Sequence, residues 1–158
     1  MTKRKGLSVA GPDRWGEAPR YLKSGVRSTH EVLTYLRRRG ISAGRAASLV
    51  AAYRAQGLLD DRAAARLWAD HWARQGYASA VVRLKLEAKG FSSDVSDATI
   101  TQFVPSTDDE ARARLVAAQR AHRATGRLAR THLARGLASR GFDSDLIERI
   151  LHESFGSE

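Results

Sequence analysis

Three stretches, VLTYLRRRGIS (32–42), VRLKLEAKGFS (82–92) and LARGLASRGFD (133–143), carry one pattern. Each reads apolar residue, three residues, Leu, two residues, basic residue, Gly, Ile or Phe, then Ser or Asp. The glycines Gly40, Gly90 and Gly141 fall 50 and 51 positions apart. Val32/Leu36, Val82/Leu86 and Leu133/Leu137 are i,i+4 pairs that share one face of a helix. Arg39, Lys89 and Arg140 occupy the last turn, where a cation complements the negative end of the helix dipole. The glycine supplies the left-handed backbone that ends a helix without a Cβ clash. Ile41, Phe91 and Phe142 then stand where a Schellman ending packs an apolar side chain onto the recurring Leu. Ser42, Ser92 and Asp143 are placed to cap the helix that follows. Eleven residues thus encode helix, stop, turn and restart, three times over.

The flanking sequence extends each copy into a unit. Ser28-Thr-His-Glu31 is a capping box for the first helix. Over about 43–56, Ala46, Leu49, Val50 and Tyr53 follow the i, i+3, i+4, i+7 spacing of a second helix, which Gly57 ends. Leu58-Leu59-Asp60-Asp61 leads into a third, with an Asp cap and Ala64, Leu67, Trp68 and Trp72 expected on its inner side. In the second unit Ser79 is the expected cap of the first helix, Val95, Thr99 and Phe103 mark the second, and Thr107-Asp-Asp-Glu110 reads as a capping box opening the third after Pro105. The third unit offers helices over about 127–140 and, with Leu146, Ile150 and Leu151 inward, to the C-terminus. The expected organisation is a basic, flexible tail (1–26), repeats at 27–75 and 76–124, and a shortened repeat at 125–158. A three-helix unit of about fifty residues buries too little surface to be robust alone. The class expected is therefore all-α: tandem three-helix repeats stacked into an elongated, curved solenoid. The second and third helices of unit one are expected to hold the tightest core.

Composition agrees with this class. Of 158 residues, 42% are apolar and 28% charged, a globular balance, and Ala and Leu outweigh β-branched residues. No run is long enough to span a bilayer, and the N-terminal stretch lacks the apolar core of a signal peptide. With no cysteine, disulfides and thiolate zinc sites are excluded. The reading is a cytoplasmic, monomeric protein. Net charge is +10, and nine of those charges lie before residue 76, which favours a polyanionic partner such as single-stranded DNA bound weakly and with salt sensitivity.

No constellation for catalysis is present. His30, His71, His122, His132 and His152 form no metal-ligand spacing, and no glycine-rich phosphate loop precedes a Lys-Ser/Thr pair. Asp60-Asp61 and Asp108-Asp109-Glu110 sit where helix N-termini call for anions. The chain reads as a non-enzyme needing no cofactor or metal. The basic positions are the better candidates. Arg37 and Arg38 do not recur in the other copies, where Glu87/Ala88 and Ala138/Ser139 stand, so the repeat does not demand them. With Arg45 across the turn, Arg83 and Lys85 in the second unit, and Arg127, Arg130 and Arg135 in the third, they form the candidate set for binding DNA or another polyanionic partner. Trp68, Trp72 and Tyr77 follow an apolar stripe and read as core. Trp15 and Tyr21 stand in the basic tail, either to order on a partner or to dock back on the domain.

GLLDD (57–61), with STHEVLTYLRRRG (28–40) before it and RQGYASAVVRLKLEAKGFSSDVSDATI (74–100) after it, resembles the RecX family of RecA regulators. The resemblance runs over roughly 27–152; the third unit is shorter, and the tail matches no family motif. It implies a protein that lies along the groove of the RecA–single-stranded DNA filament and inhibits RecA ATPase, strand exchange and filament extension without chemistry of its own, within recombination, DNA repair and the SOS response. Two other readings fit the residues alone: a sequence-tolerant nucleic-acid-binding helical protein, and a protein–protein adaptor with no recombinase partner.

Overall fold

The computed structural model describes the backbone of residues 17–121 and 127–156 and the side chains of 20–120 and 128–156. Trp15, His122 and most of the tail lie outside the described residues. Among those described are nine α-helices and no strand: α1 (Glu17–Lys23), α2 (Thr29–Arg38), α3 (Ala43–Ala55), α4 (Asp61–Arg74), α5 (Ser79–Ala88), α6 (Ser93–Phe103), α7 (Asp109–Ala121), α8 (Arg127–Ala138) and α9 (Ser144–Phe155).

The recurring pattern forms what its residues dictate. Gly40, Gly90 and Gly141 adopt φ of +80°, +86° and +84°. Each closes a Schellman ending: the N–H of Ile41, Phe91 and Phe142 reaches the carbonyl of Leu36, Leu86 and Leu137, five residues back. Ser28 and Glu31 make the reciprocal capping box, and the Ser92 and Asp143 side chains cap α6 and α9.

Other local expectations are corrected. Ser42 holds the N-cap position of α3 without a side-chain cap bond. Ala78, not Ser79, is the N-cap residue of α5. The expected Thr107 box is a 3-10 turn, Ser106–Asp108, and α7 starts at Asp109. Leu67 and Phe103 point outward. The inner face of α4 is Ala64, Ala65, Ala69 and Trp72, whose three alanines bring its backbone close to its neighbours. Leu146, Ile150 and Leu151 are buried as expected.

Packing follows a frame shifted by one helix from the sequence repeat. One buried cluster joins Val32 and Leu36 of α2 to Ala46, Val50 and Tyr53 of α3, with Tyr21 and Leu22 of α1 against it. A second joins α4 to α5 and α6 through Ala65, Ala69, Trp72, Val82, Leu86 and Phe91. A third joins α7 to α8 and α9 through Ala113, Val116, Leu133, Leu137, Leu146 and Ile150. The three-helix bundles are therefore α1–α3, α4–α6 and α7–α9. The second and third helices of unit one, α3 and α4, belong to different cores, so the expected tightest core does not form between them. Helix α1 is not legible in the sequence: Tyr21 stacks on Tyr35 at 4.2 Å, and the Arg27 guanidinium lies 4.5 Å from the centre of the Tyr21 ring.

Consecutive bundles meet at two equivalent joints. At the first, the Ser28 hydroxyl at the start of α2 donates to the Lys89 carbonyl at the end of α5 (2.6 Å), and the Thr29 N–H and hydroxyl donate to Asp61 Oδ1. At the second, the Ala78 N–H at the start of α5 donates to the Arg140 carbonyl at the end of α8 (2.9 Å), and the Ser79 N–H and hydroxyl donate to Asp109. Orphan N–H groups of one helix thus meet orphan carbonyls and an anion of its neighbours. The glycine turn is part of each joint. A Cβ on Gly90 would lie 2.5 Å from the His30 Cβ, and one on Gly141 would lie 2.1 Å from Val81 Cγ2. Nothing lies within 4 Å of the corresponding point at Gly40.

Candidate functional site

The eight candidate cations do not have equal standing once placed. Arg37 and Arg38 are exposed on the last turn of α2, and neither has an ion-pair partner among the described residues. Arg45 is exposed on the first turn of α3, across the Gly40 turn. Arg135 is exposed on the last turn of α8.

Arg83, Lys85 and Arg130 each meet a charged or aromatic partner. Arg83 pairs with Asp97 at 2.5 Å and with Glu87 at 3.1 Å. Its hydrogen bond to Asp97 raises the guanidinium's pKa further and lowers that of Asp97, so two carboxylates already meet this charge. Lys85 Nζ sits 4.5 Å from the Tyr77 ring centre and 5.6 Å from that of Trp72, spanning the rings at the end of α4. Arg130 lies 3.7 Å from Glu148. Arg127 opens α8, and its side chain is outside the described residues. Arg37, Arg38 and Arg45 are thus brought together at one end of the first bundle, whereas Arg83, Lys85, Arg130 and Arg135 are spread over α5 and α8.

Trp72 is core, with Trp68 stacked on it at 5.3 Å. His71 is exposed, edge-on to Trp68. The recurring cations also reach across the joints. Lys89 Nζ lies 3.3 Å from Glu31 and 3.9 Å over Trp68, and Arg140 Nε donates to the Gln75 carbonyl. Burial and the nearby Arg120 charge lower the Arg140 pKa.

Two grooves escaped the sequence reading. One, of about 440 Å³, runs between α4 and the end of α1 with the linker that follows it, around Val26, Leu58 and Leu67. The other, of about 250 Å³, runs between the end of α4 and α7, around Gly76, Leu115 and Gln119. The signal that could have found them is the match of Asp61 to Asp109, which puts α4 and α7 in one sequence register with Leu67 equivalent to Leu115. Among the described residues no group of three or more acidic or histidine side chains could hold a metal ion, and no helix is long and apolar enough to cross a membrane.

Helix ends locked to helix ends, repeated at two joints, define an all-helical protein of tandem three-helix bundles. Its fold is that of RecX. The crystal structure of RecX from Lactobacillus salivarius matches with a TM-score of 0.72 over 90% of this chain and 94% of that one, at 19% identity. A second crystal structure, of regulatory protein RecX, matches with a TM-score of 0.67 over 95% of this chain and 80% of that one, at 22% identity. No family model and no curated protein matches the sequence.

Proposed function

We propose that this chain is a non-enzymatic regulator that binds the RecA–single-stranded DNA filament and inhibits RecA ATPase, strand exchange and filament extension. The observation that carries this reading is the RecX fold over nine-tenths of the chain. Local chemistry agrees with it. The exposed Arg37, Arg38 and Arg45 give a cationic end suited to a polyanionic filament, where charge speeds encounter more than it fixes final affinity. Three bundles joined end to end offer several weak contacts to neighbouring filament subunits, and such contacts add through effective concentration. The working compartment is the cytoplasm, where the filament forms.

The test is filament extension by RecA on single-stranded DNA, with this protein added after nucleation. Extension should stop, and strand exchange should fall with it. Extension that proceeds unchanged, alongside binding of the protein to bare DNA, would favour the plain nucleic-acid-binding reading.

A further inference from the structure

The two joints are built alike and charged differently. At the first, the recurring cation Lys89 meets Glu31, on the first turn of α2, at 3.3 Å. Ser28 and Thr29 correspond to Ala78 and Ser79 at the second joint, so the place of Glu31 falls there to Val81. The packing agrees with this register: Gly90 is approached by His30, and Gly141 by Val81. Arg140, the counterpart of Lys89, therefore lacks the carboxylate that the first joint supplies.

A second cation stands beside it instead. Arg120, on the last turn of α7, lies against Gly136, whose carbonyl accepts from Arg140 Nη1 at 3.1 Å. Arg140 Nε donates to the Gln75 carbonyl at 3.2 Å, which leaves Nη2 unused. Lys85 and Arg140 both approach the Tyr77 ring, at 4.5 and 5.9 Å, so three helices bring positive charge to one joint. All three cations are half-buried, and among the described residues none of them has an ion-pair partner. Burial and the Arg120 charge lower the Arg140 pKa, as expected of like charges held together without a counter-ion. Among the described residues no buried orphan donor belongs to Arg120 or Arg140, so their unused N–H groups reach solvent.

We propose that the second joint is an oxyanion site for a phosphate group, which takes the place that Glu31 holds at the first. Arg120 and the unused Nη2 of Arg140 donate to the phosphate oxygens, and Lys85 adds charge beside Tyr77. Such contacts read charge and not base identity. A nucleic-acid backbone and free phosphate offer the same chemistry, and the test separates them. The site goes beyond the regulator reading and does not depend on it.

Thermal melts in inorganic phosphate and in chloride at equal ionic strength are the first measurement. Saturating phosphate should raise the native melting temperature by roughly 2–4 °C over chloride. Phosphate also stabilises proteins through exclusion from their surface, so variants decide. Val81→Glu installs the missing carboxylate, and Arg120→Gln removes one of the repelling charges. Both should lose the phosphate gain, and Arg120→Gln should melt in chloride no lower than the native chain. Anisotropy of a fluorescein-labelled oligothymidylate, read in chloride, then identifies the source. A backbone phosphate predicts about fivefold weaker binding by either variant. Unchanged oligonucleotide binding alongside a lost phosphate gain assigns the site to free phosphate. No phosphate gain in the native chain, or an equal gain in Arg120→Gln, would overturn the proposal whatever the oligonucleotide does. RecA inhibition is measured separately, and its presence or absence leaves the site standing.

Discussion

Gly40, Gly90 and Gly141 are equals in sequence and unequal in space. All three need a positive φ, which costs any L-residue roughly 1–2 kcal/mol. Only Gly90 and Gly141 also receive a neighbouring helix. Gly40→Ala should therefore lose about 1 kcal/mol, whereas Gly90→Ala and Gly141→Ala should lose a further 1–3 kcal/mol through overpacking at the joint. Denaturant melts of the three variants decide it, and equal losses would contradict the joints. Gly136, inside α8, has an ordinary helical backbone, but its space is taken: a Cβ there would meet the Arg120 guanidinium. The gain expected of Gly136→Ala from helix propensity is offset to the extent that this flexible side chain must move. The turn was legible because conformation follows from local residues. The close approach was not, because His30 is sixty positions from Gly90.

Helices were readable where their ends are self-contained. Ser28–Glu31, Ser92 and Asp143 cap the helices they precede, so spacing alone found them. Asp61 and Asp109 escaped the same logic because they serve a different helix from their own. Leu67 was misassigned inward because a Leu usually marks the core face, whereas here alanines line it for close packing. The grouping of helices was equally hidden, since periodicity shows which face is apolar and not which neighbour covers it. The shifted frame makes a direct prediction. In double-mutant cycles, Trp72→Ala should couple to Leu86→Ala by about 0.5 kcal/mol or more, because both sit in the α4–α6 core. Trp72→Ala with Val50→Ala should be additive. Coupling to Val50 alone would restore the sequence frame.

Over the whole molecule, the fold was readable from spacing even though identity to the RecX structures is only 19% and 22%. The three glycine turns lie where the spacing puts them. The candidate binding surface is less legible, because exposure and pairing are tertiary facts: Arg83 looks like a free cation in sequence and meets two carboxylates in space. Arg37 and Arg38 remain the clearest candidates. Arg37→Gln with Arg38→Gln should lower the slope of log K against log salt for single-stranded DNA by about 1.4, at roughly 0.7 per phosphate contact. The melt should be unaffected, and an unchanged slope would move the DNA-facing surface to α5 or α8.

Under the proposed function the chain acts on a filament and does not merely compete for DNA. ATP hydrolysis by RecA on single-stranded DNA, with this protein titrated at two DNA concentrations, tests it most directly. The account predicts inhibition at less than one copy per RecA subunit, because a body that touches several subunits or blocks growth affects more protomers than it binds. It also predicts that adding DNA beyond RecA saturation leaves the inhibition in place. Inhibition that needs excess protein over DNA sites and disappears as DNA is added, or no inhibition at any ratio with a cognate RecA, would contradict it.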